Sequence, residues 1–477
     1  MVFSSIMFLS VFLPITLLIY HLTPARFRNY VALVASLFFY SWGAPRFVFV
    51  LIGTSAIDYA ISRHLHPEKG HPHRLVSRRL LLTVAIALNV GLFLYFKYMN
   101  FFVDQFNVML ACFGGSPAAW TRIALPIGIS FFTFQKLSYL VDVYRGAGPP
   151  APSFAQHLLY VVLFPQLIAG PIVRYHDVAA QLIERTCSSE KTLEGLWRFA
   201  LGLAKKVLIA NVVGSVADHA FGTGSGLSIG GAWLGATCYA WQIYFDFSGY
   251  SDMAIGLGRM LGFDFLENFR APYIAANFTE FWRRWHISLS NWMREYLYIP
   301  LGGNRGGRLR RDLNLWVVFL LSGFWHGAAW NFIVWGLYHG LFLSLDKVTT
   351  RWRERIARPV AVITTFVLVV VGWIFFRAES LGDAGAYLGR MVGMGSGGGT
   401  GLPLEIMTPQ VWLAFAIAAV FSFLPLWLPT LETCDWTTRR SGPMASLPRT
   451  LTTALLLATS FMTLVNGGFN PFIYFRF

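Results

Sequence analysis

Residues 313–345 read LNLWVVFLLSGFWHGAAWNFIVWGLYHGLFLSL, thirty-three positions without one Asp, Glu, Lys or Arg. Arg310, Arg311 and Asp312 border the run on one side, Asp346 and Lys347 on the other. One straight helix of that length would extend about 50 Å at 1.5 Å per residue, well past the ~30 Å of a bilayer core. The stretch therefore tilts strongly, breaks, or forms two segments. Its natural break is Ser322-Gly-Phe-Trp325-His326-Gly327, near the middle. There an imidazole stands between two glycines at membrane depth, where an ionisable group is costly and is a functional candidate by default. His326 is the first candidate catalytic residue.

Composition places the whole chain in the same solvent. Of its 477 residues 55% are hydrophobic, 17% aromatic and only 13% charged, against roughly 25% charged in a soluble domain. The net charge of +15 gathers in loops, as in multi-pass proteins with positive cytoplasmic sides. No basic stripe lies on a soluble domain, so nucleic-acid binding is not expected. Cys112, Cys187, Cys238 and Cys434 are scattered without metal-ligand spacing, which argues against both structural disulfides and a zinc site. The N-terminus has no basic n-region and no cleavage pattern, so 5–22 reads as a retained span rather than a signal peptide.

Apolar runs recur near 5–22, 29–43, 47–61, 80–100, 123–141, 157–173, 195–216, 227–261, 313–345, 359–376, 410–428 and 448–466. They predict about ten to thirteen membrane segments in a single polytopic domain covering 1–477, some too short to cross completely. Residues 62–79 carry five basic residues against Glu68, 5 − 1 = +4, and 262–312 carry eight Arg against five acidic residues. Both loops read as cytoplasmic. Five runs lie between them, an odd number, so either 227–261 is two half-segments or one run does not cross. Four histidines in the first loop (His64, His66, His71, His73) are compatible with a metal site, but a solvated basic loop is the simpler reading and no metal is expected. The Gly-rich 393–401 reads as a connection without chemistry.

Within 262–312, Phe278, Phe281, Trp282, Trp285, Leu289, Trp292, Met293 and Tyr296 repeat at steps of three and four. That pattern predicts an amphipathic helix over 278–297, opened by an Asn277/Glu280 capping box and lying in the membrane interface. Arg283, Arg284, Asn291, Arg294 and Glu295 fall on its other faces, and His286 flanks the apolar stripe, as interfacial anchor or as functional group. Upstream, Asp246 and Asp252 interrupt an apolar run. Buried acids need partners, and Arg259 is too far along the helix to serve. The interfacial arginines or a histidine are the expected mates, and a structural ion pair fits as well as catalysis. The same holds for Lys136 with Asp142, and for Gln166 and Arg174.

Taken together, these stretches resemble the membrane-bound O-acyltransferase superfamily, specifically its bacterial alginate O-acetyltransferase branch. The resemblance rests on 125–135, 164–174, 242–262, 268–305 with its Arg283-Arg284-Trp285-His286-Ile287-Ser288 core, and 322–330. It extends to the C-terminal Asn470-Pro-Phe-Ile-Tyr-Phe-Arg-Phe477 and spans nearly the whole chain. It implies an all-α, multi-pass inner-membrane protein: a ring of tilted helices around a thinned central tunnel, with interfacial helices at its edge. It implies His326 as catalytic residue and His286 close to the same tunnel. Trp325, Asp246, Asp252, Arg283, Arg284, Trp285, Ser322 and Asn331 are the expected supporting residues. Acetyl-CoA is the implied donor substrate, with no bound cofactor. The acceptor is a hydroxyl of alginate or a similar exopolysaccharide, or of a periplasmic acetyltransferase that completes the transfer. Imidazole suits such chemistry, which needs a base near neutral pH. Amides at the Gly323/Gly327 break or the Trp325 indole N–H are candidate oxyanion donors. Competing expectations are D-alanyl transfer to teichoic acid from a carrier protein, and a non-catalytic polysaccharide or acyl-donor transporter with polar midplane groups. In a third, the polar midplane groups are structural only.

Overall fold

The computed structural model describes residues 1–67, 74–223, 226–353, 355–394, 402, 405–428, 443–467 and 472–473. Among them there is no strand. His71, His73, Cys434 and most of 393–401 and 470–477 lie outside the described residues. The chain forms two compact units, Met1–Leu193 with Leu257–Leu266, and Glu194–Gly256 with Glu267–Phe477.

The first unit holds α1 (Leu13–Leu22), α2 (Arg28–Gly43), α3 (Phe47–Ser62), α4 (Arg74–Cys112), α5 (Ile129–Arg145), α6 (Phe154–Val162), α7 (Phe164–Leu167) and α8 (Tyr175–Ile183). Its core includes the rings of Phe8, Phe12, Phe39 and Phe164, with centroids 5.4–6.4 Å apart. The run 157–173 is not one helix. The chain leaves α6 at Leu163, after nine residues, only about 14 Å of helix and too short to cross. The run 227–261, by contrast, is not split into half-segments. The polar residues questioned here find structural partners. Lys136 pairs with Asp58 at 3.1 Å, Asp142 accepts from the His176 side chain at 2.9 Å, and the Gln166 amide donates to the Tyr160 carbonyl at 2.6 Å. Arg174 grips Asp177 through two bonds of 2.8 and 2.9 Å.

The second unit takes up α9 (Ser189–Ala204), α10 (Asn211–Gly222), α11 (Ile229–Met260), α12 (Phe278–Arg284), α13 (Ile287–Met293), α14 (Gly307–His326), α15 (Trp330–Val348), α16 (Thr350–Arg353), α17 (Arg358–Arg377), α18 (Leu381–Met391), α19 (Pro409–Phe423) and α20 (Pro443–Asn466), with α9 and α11 continuing into the first unit. Among the described residues, four helical stretches are long and apolar enough to cross a membrane: Ser77–Cys112, Ser189–Gly222, Arg358–Arg377 and Pro409–Leu426. They coincide with four of the expected runs, and Phe8–Leu22 and Phe47–Ser62 are shorter apolar helices. The run 227–261 is one continuous 32-residue helix.

Asp246 and Asp252 of α11 obtain partners from the helix beside them. A Cβ on Gly249 would lie 2.7 Å from the Gly202 carbonyl oxygen, so glycine at that position lets the two backbones touch. Lys206 then reaches Asp246 at 2.6 Å, and Arg198 and Lys205 each reach Asp252 at 2.6 Å. Arg198 also holds Glu267 at 2.6 Å, and Asp246 accepts the Ile473 backbone N–H at 2.8 Å. The expected pairing with Arg283, Arg284 or a histidine is replaced by this network. Charges taken this far from water are tolerated because each is matched and hydrogen-bonded.

Candidate active site

The charge-free run 313–345 folds as a hairpin of two helices. α14 ends at His326, Gly327 departs in extended conformation, and α15 starts at Trp330 with Ala329 as its N-cap. The break lies after His326, whereas Gly323 is inside α14, so its amide is not an exposed oxyanion donor. The arms are twenty and nineteen residues, each close to 30 Å. They are tied at the charged end by Lys347 and Asp312 at 2.8 Å, and further along by the Trp316 indole donating to Ser344 at 3.1 Å. Glycine sets their spacing. A Cβ on Gly323 would strike the Phe332 carbonyl oxygen, one on Gly336 the Phe319 carbonyl oxygen, and one on Gly327 the Phe332 ring. The hairpin tip thereby presents His326, buried, to the rings of Trp325 (4.9 Å), Trp335 (5.1 Å) and Phe376 of α17 (5.1 Å). Ser322 is buried one helical turn before it. Asn331 donates to the carbonyls of Ala378 (2.7 Å) and Phe375 (3.1 Å), fastening the start of α15 to the end of α17, the part that carries Phe376.

The amphipathic segment 278–297 is not one helix. It is α12 and α13 joined through Trp285 and His286, with His286 in left-handed backbone conformation at φ 44°. That conformation is uncommon for a residue with a Cβ. Backbone bonds on either side hold it: Arg270 N–H to Arg284 O and Ile287 N–H to Asn268 O, both 2.9 Å. The capping arrangement at α12 is present in modified form. Asn277 accepts the Glu280 N–H at 2.8 Å, while Glu280 reaches back to the Ala276 N–H at 2.9 Å. Phe278, Phe281, Trp282, Trp285, Leu289, Trp292 and Met293 are buried inside the protein, so the stripe serves as core rather than as a face laid on lipid. Trp285 packs on Trp373 at 4.8 Å, and Arg284 is held by Glu280 at 2.9 Å while Arg283 is exposed.

His286 is buried, with its ring 4.7 Å from Phe247 and 6.4 Å from Trp325. Trp325 is thus a shared aromatic neighbour of both histidines, its ring 4.9 Å from His326 and 6.4 Å from His286. The His286 Nδ1 lies 3.1 Å from Asn268 Oδ1, which also accepts the Ser288 backbone N–H at 3.2 Å and the Ser288 hydroxyl at 2.9 Å. The Asn268 amide nitrogen donates to Ser251 at 3.0 Å. Burial pushes the His286 imidazole down to about 3, so it is neutral at ordinary pH. Asp246 and Asp252 are engaged by Lys206, Arg198 and Lys205 instead of either histidine, although Asp246 adjoins Phe247 in the chain.

Three lining residues escaped the sequence reading. Asn268 precedes His286 by eighteen positions with no local signal. Trp335 and Phe376 looked like ordinary apolar spans. A further buried histidine, His339, accepts from the Trp282 indole at 3.3 Å and packs on Trp335 at 4.7 Å.

Similarity to known proteins gives the family. Residues 147–377 match the model of the membrane-bound O-acyltransferase family. The probable alginate O-acetylase of Azotobacter vinelandii is 40% identical over the full length of both chains. That of Pseudomonas aeruginosa is 47% identical over 80% of this chain and 73% of its own. The peptidoglycan O-acetyltransferase of Helicobacter pylori is 36% identical over 83% of this chain and 80% of its own. A family-wide match across both histidines, joined to full-length relatives, settles the class: this chain belongs to the membrane-bound O-acyltransferase family and is a polytopic, all-helical O-acyltransferase.

Proposed function

We propose that the protein moves acetyl groups from cytoplasmic acetyl-CoA across the inner membrane for O-acetylation of alginate or a similar exopolysaccharide, directly or through a periplasmic acetyltransferase. The observation that carries this reading is that His326 and His286 are both buried and share Trp325 as an aromatic neighbour, in a setting that excludes bulk water. The names of the full-length relatives support acetyl as the group and a polysaccharide as its destination.

In this reading His326 takes the proton of the acceptor hydroxyl as its oxygen attacks the thioester carbonyl. The tetrahedral intermediate then collapses, the C–S bond breaks, and the thiolate leaves as the thiol with that proton. The oxyanion formed on the way needs N–H donors. The first-turn amides of α15, whose N-cap Ala329 has no side-chain acceptor, and the Trp325 indole are the groups nearest in sequence. The aromatic rings hold the acyl group and exclude water, which would otherwise hydrolyse the thioester. Exposed Arg305, Arg308 and Arg310 at the start of α14 offer positive charge to the donor's phosphates.

The test supplies acetyl-labelled acetyl-CoA to protein reconstituted in vesicles, with mannuronate oligomers and the periplasmic fraction as acceptors. Label in ester linkage to the polymer or to a periplasmic protein supports the proposal. Label transfer only from a D-alanyl carrier protein, or polymer movement without new ester, contradicts it.

A further inference from the structure

The hydrogen bonds around Asn268 fix which nitrogen of His286 carries its hydrogen. A backbone N–H can only donate, so the Asn268 atom 3.2 Å from the Ser288 N–H is its oxygen. That oxygen has no hydrogen to give, and the Ser288 hydroxyl, 3.5 Å from Nδ1, gives its own hydrogen to the same oxygen at 2.9 Å, so the His286 Nδ1 beside it at 3.1 Å donates. A neutral imidazole with hydrogen on Nδ1 carries a lone pair on Nε2. Nε2 is buried and has no hydrogen-bond partner among the described residues. A buried acceptor left unmatched is destabilising, which is tolerable where a substrate matches it. The surroundings do not supply a charge instead. Asp246 and Asp252 are engaged by Lys206, Arg198 and Lys205. Glu267 is held by Arg198 and Arg284 by Glu280. Arg270 and Arg283 are exposed, and the ring of His326 packs against Trp325 at 4.9 Å.

We propose that Asn268 is a positioning residue that holds His286 as its Nδ1–H tautomer, so that Nε2 accepts a hydrogen bond from an O–H or N–H group of bound substrate. The inference rests on the proposed acetyl transfer for the identity of that substrate. Two sources share the chemistry: a hydroxyl of the acceptor sugar beside the one acetylated, and an amide N–H of the donor's pantetheine arm. His326 keeps the proton-taking role. The left-handed backbone at His286 belongs to the same device, because the Ile287 N–H to Asn268 O bond brings the amide and the imidazole into register.

The experiment uses full-length protein in nanodiscs with 15N-labelled histidine. The His286 resonances are identified by their loss in His286→Gln, and the tautomer is read from its two nitrogen shifts. Wild type is expected to show a neutral Nδ1–H ring between pH 5 and 8. Asn268→Leu, which keeps the size and removes the acceptor, is expected to abolish that preference. It should raise one KM about tenfold, the equivalent of one lost hydrogen bond. A rise for acetyl-CoA identifies the pantetheine amide, and a rise for the acceptor identifies the sugar hydroxyl. Asn268→Asp keeps the acceptor oxygen and rescues the Nδ1–H donor. Its carboxylate favours imidazolium, so the acid limb of the rate profile moves to higher pH. This isosteric variant tests the proposal even if Asn268→Leu does not fold. An Nε2–H tautomer in wild type overturns the inference. So do two unchanged KM values in a folded Asn268→Leu. The tautomer is read without turnover, so absence of any acetyl transfer by wild type defeats the functional reading separately.

Discussion

At His326 the chain stops a helix beside glycines, and two 30 Å arms close on each other because nothing larger fits at Gly323, Gly327 and Gly336. At His286 it stops a helix with no glycine at all. The backbone turns left-handed at a residue with a full side chain, and bonds from Asn268 and Arg270 hold it there. The first break is made by removing side chains and the second by adding hydrogen bonds. The difference bears on how each histidine is held. His326 owes its place to helix packing and is surrounded by rings, whereas His286 has its ring nitrogen specified by a polar partner. The two breaks therefore differ in how the backbone is made to turn, one by close packing at glycines and one by hydrogen bonds.

That contrast can be broken at several points. The largest stability effect is expected at the support behind His286. Lys206→Met leaves Asp246 on α11 as an uncompensated buried carboxylate, which typically costs about 3–5 kcal/mol. Thermal unfolding should show a large loss, with Lys206→Met/Asp246→Leu recovering most of it. A stability equal to wild type in the single variant would mean that the pair at 2.6 Å is not a support.

Next comes the glycine-built break. Gly323→Val forces α14 from α15, and overpacking of this kind costs about 1–3 kcal/mol. It should reduce acyl transfer while leaving the His286 tautomer unchanged. If both histidines respond alike, the two breaks are one cooperative element.

A smaller effect follows pH. His286 titrates near 6.5 when unfolded and near 3 when folded. Its contribution to stability is therefore flat above pH 6.5 and falls as pH drops from 6.5 toward 3. One proton corresponds to about 1.4 kcal/mol per pH unit. Unfolding free energies between pH 7.5 and 4.5 should lose that slope in His286→Gln; an identical slope would place the His286 ring in contact with water. The smallest effect is expected at Arg283, whose exposed side chain predicts a stability change within about 0.5 kcal/mol on substitution by Ala. A larger loss would restore it to the supporting set.

The same contrast explains what the sequence disclosed. A histidine flanked by glycines in a charge-free run advertises a break, because glycine and burial leave marks that can be read in one dimension. The His286 break leaves none. The three- and four-residue apolar steps pass straight through Trp285 and His286, and so predict one continuous helix where there are two. Closeness in motif points to the wrong arginines as partners for Asp246 and Asp252. The actual partners, Lys206, Arg198 and Lys205, are brought in by a glycine contact between α9 and α11 that only three dimensions display. Asn268, Trp335 and Phe376 were hidden for the same reason, each being an ordinary residue until the fold sets it beside a histidine. The burial of the 278–297 stripe within protein is likewise decided by packing. An apolar face reads the same whether lipid or α15 and α17 cover it.

The proposed chemistry depends most on His326. Purified protein in nanodiscs, given labelled acetyl-CoA and acceptor, should form labelled ester at a rate that drops at least ~100-fold in His326→Ala at matched folded concentration, the lower range for removal of a general base. Equal turnover by the two proteins would contradict the assignment and place the proton-taking residue elsewhere.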